Sequence, residues 1–350
     1  MKKISISLLT LPLMLTLFSC ENTPSKVKLI YGSLCDETAT SITYEQYSEM
    51  VGDEQSFIIA MTPDCGCLGT FTIVLDAFVN ENPHIIYTIT NVEIGDNDSF
   101  GLPVYDQKPT FAIFDKGKIK YTQVYDEEYN TSVFLNQKTF TNYILENTIQ
   151  PLVNYIDKTQ LDEHISNNDE FLILYSRNTC PDCTYLSRHG LKEYLDAFEE
   201  DLDTNFYMID CDVEGIRYNA QGEYDESQWV AFKNSYGLSN VNDSTFGYDV
   251  GYVPTIQVRK GEQIQSAFVY LNDELSKNED NSFYVSRSFF DEDRLPHLKY
   301  LEGIENNVIE GIKIPEENVN IAGEYMSWVR DAADVYYLPL LKAFLDYYLR

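Results

Sequence analysis

The sequence predicts an α/β fold built from two copies of one unit. Each copy contains an apolar run typical of a buried strand, at 57–61 and 171–175, and each run leads into a close pair of cysteines. An amphipathic helical segment follows each pair, and a proline heads another apolar strand further along the chain. The copies align without a gap, so that Cys65 matches Cys180. We therefore expect two tandem domains, each with a central mixed β-sheet flanked by helices, the second with insertions.

The elements of the first unit follow from hydrophobic periodicity and from turn residues. Apolar residues at a helical period, together with Asn82-Pro83 as a stop, define the helix after the first cysteine pair, and Lys116-Gly117 marks a hairpin turn. The predicted order is a strand at 27–31, a helix at 44–51 capped by Thr43, a strand at 57–61, a helix at 68–82, a strand at 85–90, hairpin strands at 110–114 and 118–124, and a helix at 139–148.

The second unit repeats this order with additions. Its predicted elements are a helix at 159–166, a strand at 171–175, a helix at 181–200, a strand at 206–209, a helix at 227–236 ending at Gly237, hairpin strands at 255–258 and 263–270, and a closing helix at about 322–349. With a boundary near Gln150-Pro151, the domains span 28–150 and 151–350. The insertions cover 239–250, expected to form a lip over the second cysteine pair, and 272–320, which no pattern assigns.

The N-terminus predicts export. Lys2 and Lys3 precede an apolar run over 4–18 that is too short to span a bilayer but is typical of a signal peptide over 1–19. The run ends Leu17-Phe18-Ser19-Cys20, which resembles a bacterial lipobox. That resemblance implies a lipid on Cys20, a tether over 20–27 and an extracytoplasmic chain anchored to the bacterial cell membrane. The alternative is an ordinary signal peptide cut nearby, with Cys20 a free thiol.

Net charge argues against two kinds of partner, and cysteine usage favours redox chemistry. A formal net charge of −31 repels nucleic acid and anionic lipid head groups, so neither is expected as a partner of the protein surface. An exported chain lives where disulfides persist. Its seven cysteines comprise Cys20, two close pairs and the singletons Cys35 and Cys211, a pattern that favours redox pairs over a disulfide framework. Cys211 ends a predicted central strand, and a lone buried cysteine is most often a small hydrophobe. Pairing of Cys35 with Cys211 across the domains is the alternative.

The second pair, Cys180-Pro181-Asp182-Cys183, has the spacing that redox chemistry needs. A cysteine just before a helix sits among unpaired backbone N–H groups at the positive end of the helix dipole, which stabilises its thiolate. A cysteine three residues on lies one turn away and can resolve a mixed disulfide. The alternatives are a zinc half-site and a structural disulfide. Neither His164 nor His189 gives zinc-ligand spacing, so no metal is expected.

Strand, C-x-x-C, helix and a distant Val253-Pro254-Thr255 resemble the thioredoxin superfamily. The resemblance implies Cys180 as the nucleophile, Cys183 as the resolver and Pro254 as a cis proline beside the pair. The motif region alone is also similar to thioredoxin-like proteins that accompany bacteriocin export. Thr179 and Leu174 depart from the family pattern, where an aromatic and a buried acid are usual, so this is not a cytosolic-type thioredoxin.

Other charges bear on the reactivity of this pair. Asp182 places a negative charge between the two thiols, which opposes thiolate formation. Arg177 and Arg188 are expected to offset that charge.

The first pair, Cys65-Gly66-Cys67, closes a tighter ring, so its disulfide is expected to be strained and easily reduced. Pro109 heads the later strand, so one hypothesis is that Cys65, Cys67 and Pro109 form a second redox centre. The others are a degenerate scaffold with inert thiols, and soft-metal capture such as Cu(I), with His84 as a third ligand.

Together these features predict an extracytoplasmic thiol–disulfide oxidoreductase without an organic cofactor. Its expected partners are exported client proteins carrying thiols or disulfides, together with a membrane redox partner. The rival class is a non-catalytic scaffold or binding lipoprotein, serving as an export accessory or in soft-metal binding.

Overall fold

The computed structural model describes residues 25–62, 69–94, 99–105, 108–198, 202–239, 250–269, 275–277, 283–285, 338, 341–342 and 344–349. The N-terminal half contains β1 (Val27–Lys28), β2 (Tyr31–Ser33), β3 (Thr40–Ser41), α1 (Tyr44–Gly52), β4 (Phe57–Thr62), α2 (Gly69–Glu81), β5 (Ile86–Thr90), α3 (Asn91–Ile94), β6 (Thr110–Asp115), β7 (Lys118–Val124), α4 (Thr131–Leu135), α5 (Gln137–Asn147) and β8 (Thr148–Ile149).

The C-terminal half repeats the pattern. It contains β9 (Val153–Tyr155), α6 (Lys158–Ser166), β10 (Glu170–Ser176), α7 (Pro181–Tyr185), a π-helical segment (Leu186–Leu191), α8 (Lys192–Ala197), β11 (Asn205–Asp210), α9 (Glu226–Ser235), β12 (Thr255–Lys260), β13 (Gln263–Val269), β14 (Leu275–Lys277) and β15 (Phe283–Val285). Residues 341–342 and 344–348 are also helical, which agrees with the end of the predicted closing helix; 322–337 lie outside the described residues.

Two mixed sheets carry the architecture. The first has the strand order β3-β5-β4-β6-β7, and the second has the order β13-β12-β10-β11-β9-β2. In each, the strand that leads to a cysteine pair is central, with a parallel strand on one side and an antiparallel hairpin on the other. This arrangement confirms the predicted α/β class and the repeated unit.

Both sheets are covered on both faces, which is why their central strands read as continuous apolar runs. Alternate residues of β10 enter different cores. Leu172 and Leu174 pack with Leu186, Phe344 and other residues on one face, whereas Phe171, Ile173 and Tyr175 pack toward α6 and α9 on the other. The core on the Leu174 face therefore joins the helix after Cys180 to the end of the chain.

The single strand predicted at 27–31 is wrong. Val27–Lys28 pairs with Thr148–Ile149, whereas Tyr31–Ser33 adds to the edge of the second sheet beside Val153–Tyr155. Leu29 is buried in a core of the first unit, but Ile30 is buried in a core of the second. The segment therefore bridges the two units, and a division of the chain at 150 leaves one edge strand of the second sheet on its N-terminal side.

The bridge requires a glycine at its centre. Gly32 passes so close to its neighbours that a Cβ atom there would overlap the carbonyl oxygen of Pro83 and would lie 2.6 Å from the side chains of Asn154 and Pro151. The next residue donates its backbone N–H to that same Pro83 oxygen at 2.9 Å. Only a residue without a side chain allows this approach of three segments.

Candidate functional site

Cys180 lies where the central strand β10 passes into helix α7. It is the N-cap residue, with φ −92° and ψ 120°, and its carbonyl oxygen accepts the backbone N–H of Thr184 at 3.0 Å. Pro181 occupies the first helical position, where a missing N–H is harmless and a fixed φ favours the helix. The local sequence thus places a thiol at the end of a helix where backbone N–H groups have no helical partner.

These surroundings favour the thiolate of Cys180. A hydrogen bond from the Cys183 thiol lowers the pKa of Cys180, burial opposes this, and the backbone N–H groups of Cys183 and Asp182 lower the pKa again. The net pKa is about 6, even though the Asp182 charge raises it as the sequence predicted. At neutral pH most of Cys180 is therefore ionised.

Cys183 has the opposite character. It is buried, at 1% exposure, within the first turn of the helix. Its hydrogen bond to Cys180 and its burial both raise the pKa of its thiol well above the ordinary range. The pair therefore combines a half-buried, ionised thiol with a buried, protonated one. That is the arrangement in which the first thiol attacks and the second resolves.

The segment around Pro254, which was expected beside the cysteine pair, lies next to Cys180. The Val253–Pro254 peptide bond is cis, as the resemblance implied, and the Cys180 Sγ atom lies 3.9 Å from the Val253 carbonyl oxygen. The corresponding Lys108–Pro109 bond of the first unit joins two described residues and is not cis. Pro109 instead uses its carbonyl oxygen to accept the backbone N–H of Tyr125 at 2.9 Å.

A groove of about 330 Å³ opens beside Cys180. Its walls come from both halves of the chain, and they are formed by Asp53, Asn178, Thr179, Cys180, Pro181, Thr184, Tyr185, Arg188 and His189. The Arg188 guanidinium joins the halves, with nitrogens 3.0 Å from an Asp53 carboxylate oxygen and 3.9 Å from one of Glu49. No local pattern indicated that Asp53 would border this site, because its contact with Arg188 spans 135 residues.

The two arginines expected to offset Asp182 are engaged elsewhere. Arg188 pairs with Asp53, and the Nε atom of Arg177 lies 3.1 Å from a carboxylate oxygen of Asp212. Neither is among the main influences on the pKa of Cys180. The hydrogen bonds of the pair and of the helix end, rather than the arginines, outweigh the Asp182 charge.

Several predicted site residues lie outside the described residues. These are Cys20, Cys65, Cys67 and most of the predicted lip, at 240–249. Among the described residues, no cluster of three or more side chains is suited to hold a metal ion, and no helix has the length and apolar character to cross a membrane.

His84, considered as a metal ligand, is a core residue. It is 1% exposed, its Nε2 atom lies 3.1 Å from the Thr148 hydroxyl, and its ring packs on Phe78. It precedes β5 at the end of the sheet where β4 also begins, because Ile58 pairs with Ile86 in a parallel register. The first cysteine pair lies outside the described residues, so the assignment of His84 as its third ligand stays a prediction.

The two single cysteines are free thiols in different settings. Cys211 is fully buried, and burial raises the pKa of its thiol. Cys35 is exposed, with its Sγ atom 3.3 Å from the Ser33 hydroxyl, and it does not pair with Cys211. Partial burial of the side chain still raises the pKa of the Cys35 thiol.

Comparison with known proteins finds only distant structural neighbours. No family model and no curated protein matches the chain. Human ERp44 (form I) is 14% identical with a TM-score of 0.32 over 68% of this chain and 52% of that one, so the match spans about half of ERp44. The bb fragment of ERp72 is 14% identical (TM-score 0.29; 65% and 87% covered), and the first two thioredoxin domains of Saccharomyces cerevisiae Eps1p are 11% identical (0.21; 66% and 90%). At these values the likeness carries no argument. The strand order of the two sheets gives the chain a fold of two thioredoxin-like domains.

Proposed function

We propose that the protein is a thiol–disulfide oxidoreductase that acts on exported proteins through Cys180 and Cys183. One observation carries the proposal: an accessible thiol with a pKa of about 6 stands at a helix N-terminus, one turn from a buried thiol. Thiolates, not thiols, attack disulfides. The pair therefore meets the chemical requirement for exchange at neutral pH.

In the first step the Cys180 thiolate attacks one sulfur of a client disulfide. A bond forms between Cys180 Sγ and that sulfur, the client S–S bond breaks, and the second client sulfur leaves as a thiolate that takes up a proton. The product is a mixed disulfide between protein and client. Because Cys180 borders an open groove, the client sulfur can reach it without unfolding of the site.

In the second step Cys183 resolves the mixed disulfide. Its thiol loses a proton and attacks Cys180 Sγ, the Cys180–Cys183 disulfide forms, and the first client sulfur leaves as a thiol. Two electrons have then passed from the pair to the client. Once Cys180 is bound to the client, it no longer holds the negative charge that raises the pKa of Cys183. The same steps in reverse oxidise a client dithiol, and the redox partner that resets the pair decides the direction.

The surroundings of Cys180 also offer a way to hold an extended client chain. The Val253 carbonyl oxygen lies beside the reacting sulfur and can accept a client backbone N–H. The groove that Cys180 also borders includes Asp53 of the N-terminal half. We propose that clients bind between the two units.

The proposed location rests on the N-terminal sequence. We propose that the chain is exported, that lipid on Cys20 anchors it to the bacterial cell membrane, and that its clients are exported proteins. Nothing in the proposal requires an organic cofactor or nucleic acid.

Trapping in cells tests the proposal. The Cys183→Ser variant forms the mixed disulfide but cannot resolve it, so client adducts should accumulate on non-reducing gels. The matched Cys180→Ser variant lacks the attacking thiol and should show no adducts. If both variants give the same pattern, the exchange function is wrong and the scaffold interpretation replaces it.

A further inference from the structure

A buried carboxylate lies directly beneath the segment that leads to Cys180. Strands β10 and β11 are parallel neighbours, and the pairing continues past their ends because the backbone N–H of Cys211 donates to the Ser176 carbonyl oxygen at 2.7 Å. This brings Asp212 under residues 177–179. Its side chain is 5% exposed.

Asp212 is held from several directions. One carboxylate oxygen accepts the Thr179 backbone N–H at 2.9 Å and the Thr179 hydroxyl at 2.5 Å. The other accepts Arg177 Nε at 3.1 Å and Arg217 Nη1 at 2.5 Å. Asp210 supports the arrangement, since its carboxylate accepts the Asp212 backbone N–H at 2.9 Å.

A buried charge is costly unless it is paired and hydrogen-bonded, and Asp212 is both. Although burial raises its pKa, the hydrogen bonds from Thr179, Arg217 and Arg177 outweigh burial and lower the pKa to about 2. Asp212 therefore remains an acceptor throughout the working pH range. The backbone group it holds belongs to the residue immediately before the reactive thiol.

We infer that Asp212 is a positioning residue for thiol exchange, acting through Thr179 on Cys180. By fixing the Thr179 backbone it sets the direction in which the chain enters helix α7. The N–H groups of Asp182 and Cys183 are thereby kept directed at the Cys180 sulfur. This inference rests on the proposed function and extends it to a residue outside the cysteine motif.

The alternative role of Asp212 predicts the opposite effect, which makes the inference testable. If Asp212 served mainly to neutralise Arg177 and Arg217, its removal would release two positive charges near Cys180 and favour the thiolate. If it positions Thr179, its removal would loosen the helix entry and disfavour the thiolate. The sign of the change in Cys180 reactivity separates the two.

The experiment measures the pH dependence of Cys180 alkylation by iodoacetamide in the reduced full-length protein, with the label located by mass spectrometry. Asp212→Asn should move the midpoint upward by about one pH unit, so that labelling at pH 5 slows about tenfold. Asp225→Asn is the matched control, because Asp225 is also a carboxylate with a pKa of about 2 but caps helix α9. It should leave the midpoint unchanged.

A second variant decides the matter if Asp212→Asn does not fold. Thr179→Val removes the hydroxyl bond to Asp212 and keeps the backbone N–H bond, so its midpoint should rise by less. An unchanged or lowered midpoint in a folded Asp212→Asn protein, or in Thr179→Val when that protein alone folds, overturns the inference. If the wild type itself labels only above pH 8, the proposed function fails instead, so the two failures are distinct.

Discussion

The hydrogen bond from the Cys183 thiol has the largest influence on the pKa of Cys180. The rise in that pKa when the bond is removed can be calculated. Cys183→Ala deletes the donor, whereas Cys183→Ser keeps a hydroxyl in its place. A hydrogen bond to a charged group contributes about 1.5–3 kcal/mol, and one pKa unit corresponds to about 1.36 kcal/mol. The Cys180 pKa should therefore rise from about 6 to about 7–8 in Cys183→Ala. The backbone N–H groups of Cys183 and Asp182 remain and keep it below an ordinary thiol.

The assay is the iodoacetamide labelling rate of Cys180 between pH 4 and pH 10, with each variant normalised to its own plateau at high pH. Labelling should increase as the pH rises through the pKa, because the thiolate reacts. At pH 6 the Cys183→Ala variant should be slower than the wild type by about fivefold to fiftyfold. Cys183→Ser should stay close to the wild type. Equal midpoints for Cys183→Ala and Cys183→Ser, or a wild-type midpoint near 8.5, would show that the hydrogen bond at Cys183 does not lower the pKa of Cys180.

Three further predictions concern other parts of the chain. Cys65–Cys67 should be easier to reduce than Cys180–Cys183, because its ring is tighter; titration of each pair in glutathione buffers gives the two midpoints, and equal midpoints would remove the idea of a relay between domains. Gly32→Ala should cost more than about 2 kcal/mol of unfolding free energy, because a Cβ would overlap the Pro83 carbonyl; a loss below 0.5 kcal/mol in urea denaturation would contradict the tight junction. Labelling of cells with an alkyne fatty acid should tag the wild type but not Cys20→Ala, and a labelled variant would exclude Cys20 as the lipid site.

Local patterns predicted the long elements well. The capping box at Thr43, in which its hydroxyl accepts the Gln46 backbone N–H and the Gln46 side chain accepts the Thr43 N–H, was visible as a helix start. The hairpin turn predicted at Lys116-Gly117 joins β6 to β7, with positive φ at both residues. These features depend on residues a few positions apart, so a single sequence contains the information.

Short or interrupted elements were not predictable, because their partners lie far away in sequence. Strand β9 is three residues long and is defined by pairing with β2 and β11 on either side. The helix predicted at 181–200 contains a π-helical segment, and within it Gly190 packs against Leu338 and Leu341 near the end of the chain. No periodicity in the local sequence reports a contact of that kind.

The candidate site also contains residues that local patterns predicted and residues that they did not. The cysteine spacing placed Cys180 and Cys183 on the first turn of a helix, and the resemblance placed a cis proline at 254. Asp53 and Asp212 were not predicted from the sequence, since Asp53 reaches the groove from the other half of the chain and Asp212 contacts Thr179 from the end of a neighbouring strand. Three-dimensional proximity, not composition, identifies them.

A redox titration of Cys180 and Cys183 in the full-length protein tests directly whether the two thiols form an exchange pair. The chain would be equilibrated in dithiothreitol or glutathione buffers, its free thiols blocked, and the state of each cysteine read by mass spectrometry. Both residues should lose their label together with a single two-electron midpoint, as a Cys180–Cys183 disulfide forms. Absence of that disulfide in every buffer, with both thiols alkylated throughout, would contradict the proposed exchange function.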